Sequence, residues 1–252
     1  MSRLTSKKAI VTGGGQGLGR AIVEELMRQG CDVAIHYYKS AEGSQQVKQA
    51  APPGIRAECF SADLTDESAA SAMVSEAVKF LGGLEILVNN SGDIIARRRL
   101  GEVDFDFWRR VMDVNVMSMM FVTRQAVPHL QASKNSSVVN VASLAGRMGG
   151  HAGSLVYSTA KGAVLTWTRS LAKELGPQGV RVNAIAPGLI LGTAFHATHT
   201  TPESASETVA GIPLGRAGNP ADVARAVAFL ASEFDGFITG ATLDINGGVF
   251  GC

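Results

Sequence analysis

This 252-residue chain is short of charge: Lys and Arg number 23, Asp and Glu 22, and charged residues make up 18% for a net charge of +1. A balance this even offers no electrostatic footprint for nucleic acid. Cysteine is scarce as well. Cys31, Cys59 and Cys252 are odd in number and far apart, which excludes a disulfide framework and a metal-ligand pair and fits a reducing, cytoplasmic setting. No apolar run approaches the ~18 residues of a membrane span, and the first residues, Met1 to Lys8, lead into a short strand rather than a signal-type apolar stretch. No Pro/Gly/Ser-rich linker and no internal repeat divides the sequence. A single domain is therefore expected over residues 1–252.

What is present is apolar residue and glycine. Hydrophobic residues are 46%, enough for a large core and against global disorder. Glycine is 29 of 252, well above the usual ~7%, which points to tight turns and close backbone approaches.

Short β-rich runs alternate with helical stretches. Strands are predicted at 9–12, 32–36, 56–62, 86–89, 137–142, 181–185 and 241–245. Helices are predicted at 18–29, 41–51, 66–81 (capped by Thr65 or Asp66), 105–130, 157–175 and 220–231 (capped by Asn219). Residues 187–211 read as a long irregular stretch with one short helix after Pro202. Such alternation means parallel βαβ units with right-handed crossovers. Strands apolar on both faces fit a sheet covered on both sides.

The first strand runs into Thr12-Gly13-Gly14-Gly15-Gln16-Gly17-Leu18-Gly19, and a helix follows at once. A loop of this kind lets backbone N–H groups approach a pyrophosphate at a helix N-terminus. Its spacing is G-x-x-x-G-x-G, not the commoner G-x-G-x-x-G, and a plain tight turn is the competing reading. After the second strand, NAD enzymes usually place an acid on the ribose 2′-OH. Here His36-Tyr37-Tyr38-Lys39-Ser40 contains none. Lys39 and Ser40 suit a 2′-phosphate, so NADP(H) is expected over NAD(H); a solvated lysine beside a turn is the alternative. Asp63 has a carboxylate placed to accept from an adenine amino group. Asn89-Asn90-Ser91-Gly92 forms a small polar turn able to run beside the cofactor, with Asn89 bracing neighbouring strands.

Tyr157 and Lys161 stand at i and i+4, which places both on one helix face. A tyrosine phenol titrates near ~10, and a neighbouring cation favours the phenolate. A shift of about three units corresponds to about 4 kcal/mol, within reach of Lys161 together with a cationic nicotinamide in a partly dry cleft. A lone Tyr-x-x-x-Lys is usually a surface pair, but Ser143 lies just past the fifth strand, at the sheet edge where open α/β folds bind ligands. Asn115 sits mid-helix between apolar neighbours, where a buried amide needs partners.

Together the Gly13/Gly17/Gly19 loop, residues 89–92, Asn115, Ser143, Tyr157/Lys161 and Pro187-Gly188 resemble the classical short-chain dehydrogenase/reductase family, in the family's order and over nearly the whole chain. The resemblance implies a Rossmann-like doubly wound sheet of about seven strands in the order 3-2-1-4-5-6-7. It implies hydride transfer between nicotinamide and a carbonyl/alcohol pair without a metal, and a homotetramer. Tyr157 would protonate the carbonyl oxygen. Lys161 would lower the Tyr157 pKa and bind the nicotinamide ribose, Ser143 would polarise the carbonyl, and Asn115 would hold a water of a proton relay. The cofactor would lie along Gly13, Gly15, Gln16, Gly17, Leu18, Gly19, Tyr38, Lys39, Ser40, Asp63, Leu64, Asn90, Ser91, Gly92, Tyr157, Lys161, Pro187, Gly188, Ile190 and Thr193. Three departures stand out: Ser91 replaces the family's usual Ala, Ser143 precedes Tyr157 by one residue more than usual, and the segment from Pro187 to Thr193 is longer.

For the substrate, Arg97-Arg98-Arg99 reads either as an anion clamp or as a solvated basic turn. A lid at about 188–212 contains His196 and His199, as exposed residues or as contacts to a hydroxylated substrate. That lid is similar to reductases of 4-deoxy-hexoseulose uronates, and favours a polar keto acid or keto-sugar. The cofactor half also resembles 3-oxoacyl-(acyl-carrier-protein) reductases, whose paired basic residues dock the carrier; Lys134 stands near one such place and Gln178 at the other. A non-catalytic NADP-binding sensor or scaffold is the reading of another class. No membrane or nucleic-acid partner is expected.

Overall fold

Seven short runs, six of them with Val, Ile or Thr, form one all-parallel sheet: β1 (Lys8–Val11), β2 (Asp32–Tyr37), β3 (Ala57–Ser61), β4 (Ile86–Asn89), β5 (Ser136–Val141), β6 (Val180–Pro187) and β7 (Thr242–Ile245). Their spatial order is 3-2-1-4-5-6-7, as the resemblance implies. The computed structural model describes residues 4–133, 135–232 and 236–251, with the side chains of 194–196 excepted. Residues pair in parallel register across the middle of the sheet, Ile10 with Ala34 on one side and Leu87 on the other.

Period-two alternation sends neighbouring residues to opposite layers. Val11, Val33, Val88 and Val139 pack under helices α1 (Gly17–Arg28) and α10 (Pro220–Ala231), with α2 (Ala41–Gln49) at the same layer's edge. Ile10, Leu87, Val138 and Val182 pack under α3 (Glu67–Leu81), α5 (Ser118–Ala132) and α7 (Leu155–Leu175). Asp66 supplies the α3 cap, its carboxylate accepting from Ala69 N–H, and Asn219 caps α10. Asn89 braces the sheet through Nδ2, which donates to Asn140 Oδ1 and Thr123 Oγ1, both at 2.9 Å.

Three elements differ from the sequence expectation. The helix expected at 105–130 is α4 (Phe105–Met112), a π-helical turn at Asp113–Met117, and α5. The π turn surrounds Asn115, whose Nδ2 takes the Val111 carbonyl at 2.8 Å and the Asp93 carbonyl at 2.7 Å; an inserted residue of this kind widens a helix locally. A short α6 (Ala145–Met148) precedes α7, which starts two residues early. The segment after β6 holds two helices, α8 (Ala194–His199) and α9 (Pro202–Ala210), where one was expected. The hydroxyl of Thr201, a cap not recognised in the sequence, accepts from Ser204 N–H to start α9. Among the described residues, no helix is long and apolar enough to cross a membrane and no cluster could hold a metal ion.

Candidate active site

All parallel strands aim their carboxyl ends at one side, and a cavity of about 940 Å³ opens there. Its cofactor end is lined by Gly13, residues 16–19, 38–40, 63–65 and 90–92. Helix α1 begins at that wall without a side-chain cap from Gln16 and without an acid in its first turn, which leaves its positive end to the cavity. The glycines differ in what they do. Gly13 has φ +64°, and a Cβ on Gly19 would lie 2.0 Å from the Gly13 carbonyl oxygen. Gly15, expected on the cofactor, instead faces α2: a Cβ there would meet Ser44 Oγ at 2.3 Å and Ser40 Oγ at 2.5 Å. It sets how close α2 approaches the loop, and it does not line the cavity.

His36 holds the loop from below. Its Nδ1 accepts from Gly13 N–H at 3.0 Å and Nε2 sits 3.1 Å from the Ala62 carbonyl. Both contacts together require the neutral ring, and burial pushes its pKa down to about 4. The sequence reading passed over this residue, although a histidine inside an apolar strand was the available signal. Lys39 is exposed at the cavity rim with Nζ 5.4 Å from the centre of the Tyr38 ring. Asp63 accepts from Thr65 N–H and Oγ1 at 2.9 and 2.7 Å. Those Thr65 bonds, helped by the Tyr38 hydroxyl, hold its carboxyl below the usual range.

The far end collects Ser143, Tyr157, Lys161, Pro187, Gly188, Ile190 and Thr193. Thr193 is buried and packs opposite Gly17, the distance from a Cβ there to Thr193 Cβ being 3.6 Å. The longer segment from Pro187 thus returns Thr193 to the glycine loop. The residue added between Ser143 and Tyr157 is absorbed by Gly149, Gly150 and Gly153, all at positive φ; the Ser143 and Tyr157 side chains still share a hydrogen bond. Lys161 is 4% exposed, and its Nζ donates to the Val141 carbonyl at 2.9 Å and lies 5.7 Å from the Tyr157 ring centre.

Two groups at this end are shifted from their usual titration. Burial pushes the Tyr157 phenol up to about 12, against the lowering effects of Ser143 and Arg97. Burial also pushes Lys161 down to about 8. Desolvation is the largest influence on each of the two groups.

Asn115 does not line the cavity, yet it reaches it through Gly92. A Cβ on Gly92 would lie 2.6 Å from Asn115 Oδ1 and 2.9 Å from Lys161 Nζ. Only glycine lets these two polar atoms face a common space. Asn115 Oδ1 is buried and has no partner among the described residues. An orphaned buried acceptor beside a buried ammonium is where an ordered water is expected.

The arginine run separates into different roles. Arg97 lines the cavity and donates to Ser154 Oγ at 2.6 Å, just ahead of α7. Arg98 was expected on the substrate but turns away: it pairs with Asp104 at 3.0 Å and covers the Phe107 ring at 4.5 Å. That ion pair and the apolar ring hold its guanidinium outside the cleft. Arg99 is exposed, with its N–H capped by Glu102. The His196 side chain lies outside the described residues. His199 does not line the cavity; its Nε2 is 3.5 Å from Asp93 Oδ1. Asp93 and Arg110, which do line the cavity, were not singled out in the sequence.

A family model described as enoyl-(acyl carrier protein) reductase matches residues 13–250. An uncharacterized oxidoreductase of Methylorubrum extorquens is 37% identical over 254 residues, covering 99% of this chain and 100% of that one. The 3-oxoacyl-(acyl-carrier-protein) reductase FabG of Staphylococcus aureus is 33% identical, over 97% of this chain and 98% of its own. Among solved structures, an NADH-dependent reductase responsible for alginate metabolism superposes with TM-score 0.88 at 32% identity, both chains covered in full. A short chain dehydrogenase from Burkholderia cenocepacia in complex with NADP gives TM-score 0.91 at 33% identity, over 98% and 99% of the two chains. With matches of this kind running over nearly the whole chain, the chain belongs to the short-chain dehydrogenase/reductase family and is an NAD(P)-dependent oxidoreductase of carbonyl/alcohol pairs.

Proposed function

We propose that this enzyme uses NADP(H) to reduce the carbonyl of a polar keto acid or keto-sugar. The observation that carries the reading is the meeting, in one cavity, of a hydrogen-bonded Ser143–Tyr157 pair, a buried Lys161 and the guanidinium of Arg97. The uncapped start of α1 and the Gly13–Gly19 contact fit a pyrophosphate, and Tyr38, Lys39, Ser40 and Asp63 line the wall next to it. When bound, the nicotinamide supplies or accepts the hydride.

The chain's own residues handle the proton and the carbonyl. Ser143 Oγ is fixed by accepting Ala145 N–H at 3.1 Å, and its proton is directed at the carbonyl oxygen. Tyr157, kept protonated by burial, donates to that oxygen as negative charge develops. Lys161 would hold the ribose and return a proton to the Tyr157 phenolate, regaining one from solvent through a water on Asn115 Oδ1. Pro187, Gly188, Ile190 and Thr193 wall the nicotinamide side. Arg97 is aimed at a substrate carboxylate, and residues 188–212 serve as the lid.

NADPH consumption across keto acids, sugar uronates and acetoacetyl thioesters tests the substrate class. The reading predicts the largest kcat/KM on an anionic polar carbonyl. The greatest rate on the thioesters would favour the second reading, a 3-oxoacyl-carrier reductase, which the similarity to the Staphylococcus aureus enzyme supports. At the place where such enzymes dock their carrier, however, Gln178 is bound to Gln131, and Lys134 lies outside the described residues. Replacing Arg97 by Ala is expected to raise KM for anionic carbonyls about tenfold or more and leave neutral ones unchanged. Arg98→Ala should do neither, and steady-state kinetics on matched charged and neutral substrates checks both. Lys39→Ala is expected to weaken NADPH about tenfold while NADH binding holds, measured by cofactor fluorescence titration; equal losses would remove Lys39 from a 2′-phosphate.

A cytoplasmic homotetramer is part of the same proposal. Val111, Val164 and Leu171 are buried within the chain's own core, so an interface on α4, α5 and α7 would rest on their outward neighbours.

A further inference from the structure

Asp93 follows directly on the small polar turn after β4 and belongs to no role assigned so far. It lines the cavity, and its side chain is 49% exposed. Its carbonyl accepts from Asn115 Nδ2 at 2.7 Å. It adjoins Gly92, whose missing side chain leaves Asn115 Oδ1 and Lys161 Nζ a common space. On the other side its carboxylate lies 3.5 Å from Nε2 of His199, the last residue of α8, whose own side chain is 14% exposed.

The loop that carries Asp93 is held under strain. Ile95 has φ +63°, and Ala96 N–H donates to the Ile94 carbonyl at 2.7 Å across it. A β-branched residue rarely adopts that region, and such outliers persist only where the surroundings enforce them. Here Arg98 N–H donates to the Gly153 carbonyl at 3.0 Å and Arg97 bonds Ser154, which fasten the loop to the start of α7. The loop's placement is thus fixed by the same helix that carries Tyr157 and Lys161.

We propose that Asp93 is a positioning residue for the reaction, linking the lid helix through His199 to the Tyr157–Lys161 pair. The inference rests on the reductase reading, in which Tyr157 exchanges the proton. The negative charge of Asp93 favours the protonated form of both Tyr157 and Lys161. With a proton on Nε2, His199 partners that carboxylate from the lid helix and draws on its charge. Loss of that contact therefore opposes proton release from Tyr157. Among the described residues, the other charged or titratable groups facing this end are Arg97 on the same loop, Arg110 on α4, Asp113 at the π turn, and His151 ahead of α7.

The test needs no known substrate. In the protein saturated with NADP⁺, the phenolate absorbance lost in Tyr157→Phe isolates the titration of Tyr157. Asp93→Asn is expected to lower its midpoint by about half to one pH unit, and Asp93→Glu to restore it. His199→Ala is expected to raise the midpoint. An Asp93→Asn midpoint equal to wild type would overturn the proposal, as would a His199→Ala midpoint that stays put or falls. If Tyr157→Phe also kept full turnover in the substrate panel, the underlying reading would fail instead; a dead Tyr157→Phe with an unmoved Asp93→Asn midpoint refutes this inference alone.

Discussion

Tyr157→Phe should lower turnover by about a thousandfold, roughly 4 kcal/mol of barrier, and leave NADPH affinity within a few-fold of wild type. The ring packs among Phe107, Val111, Val156 and Ala160, and phenylalanine keeps that packing. What it removes is the hydroxyl that bonds Ser143. Since burial holds the phenol protonated at neutral pH, carbonyl reduction begins with the proton in place. Alcohol oxidation needs the phenolate and should rise with pH through the Tyr157 titration, the sign expected of a group whose pKa is raised. Stopped-flow turnover together with a cofactor titration separates the two effects, and near-normal turnover would remove Tyr157 as the acid.

Gly19→Ala should be the most damaging single-atom change in the cofactor cradle. In an ordinary helix, alanine is about 1 kcal/mol better than glycine. Here the added carbon would lie 2.0 Å from the Gly13 oxygen, 2.6 Å from Asn90 Nδ2 and 2.7 Å from the Gly13 carbonyl carbon. Two of these are backbone atoms of the turn that His36 holds, so α1 must move away from β1. Overpacking of this kind costs about 1–3 kcal/mol, and Tm is expected to fall by about 3–10 °C. Moving the helix start also misplaces its first N–H groups, so NADPH affinity should drop more than tenfold. Gly17→Ala gives the contrast: a Cβ there meets nothing closer than 3.6 Å, although its positive φ still brings strain. Calorimetry and cofactor titration of the two variants check the difference. Unchanged affinity in Gly19→Ala would mean that the close approach serves no binding purpose.

The fold was legible because its signals are local and repeated. Period-two apolar strands, Asn219 and Asp66 as caps, and Gly82 after α3 place most elements within two residues. Where the reading missed, the deciding force was not local. The π turn at Asn115 exists because its amide is satisfied by Asp93 from another loop, which helical periodicity does not register. Arg97 and Arg98 are identical neighbours in sequence and part company only because Asp104 and Phe107 hold one of them. Gly15 reads as a phosphate glycine by spacing, while the crowding of its α carbon by Ser40 and Ser44 is visible only in the fold. The i,i+4 spacing of Tyr157 and Lys161 shows the neighbouring cation but not the desolvation that acts on both groups.

The most direct test of the central claim is to follow deuterium from NADPH labelled at nicotinamide C4. During reduction of the best carbonyl in the panel, the label should appear on the carbinol carbon of the product, and with Tyr157→Phe the same transfer should proceed about a thousandfold more slowly. Label found only in solvent, or NADPH that stays reduced with every carbonyl offered, would contradict the account.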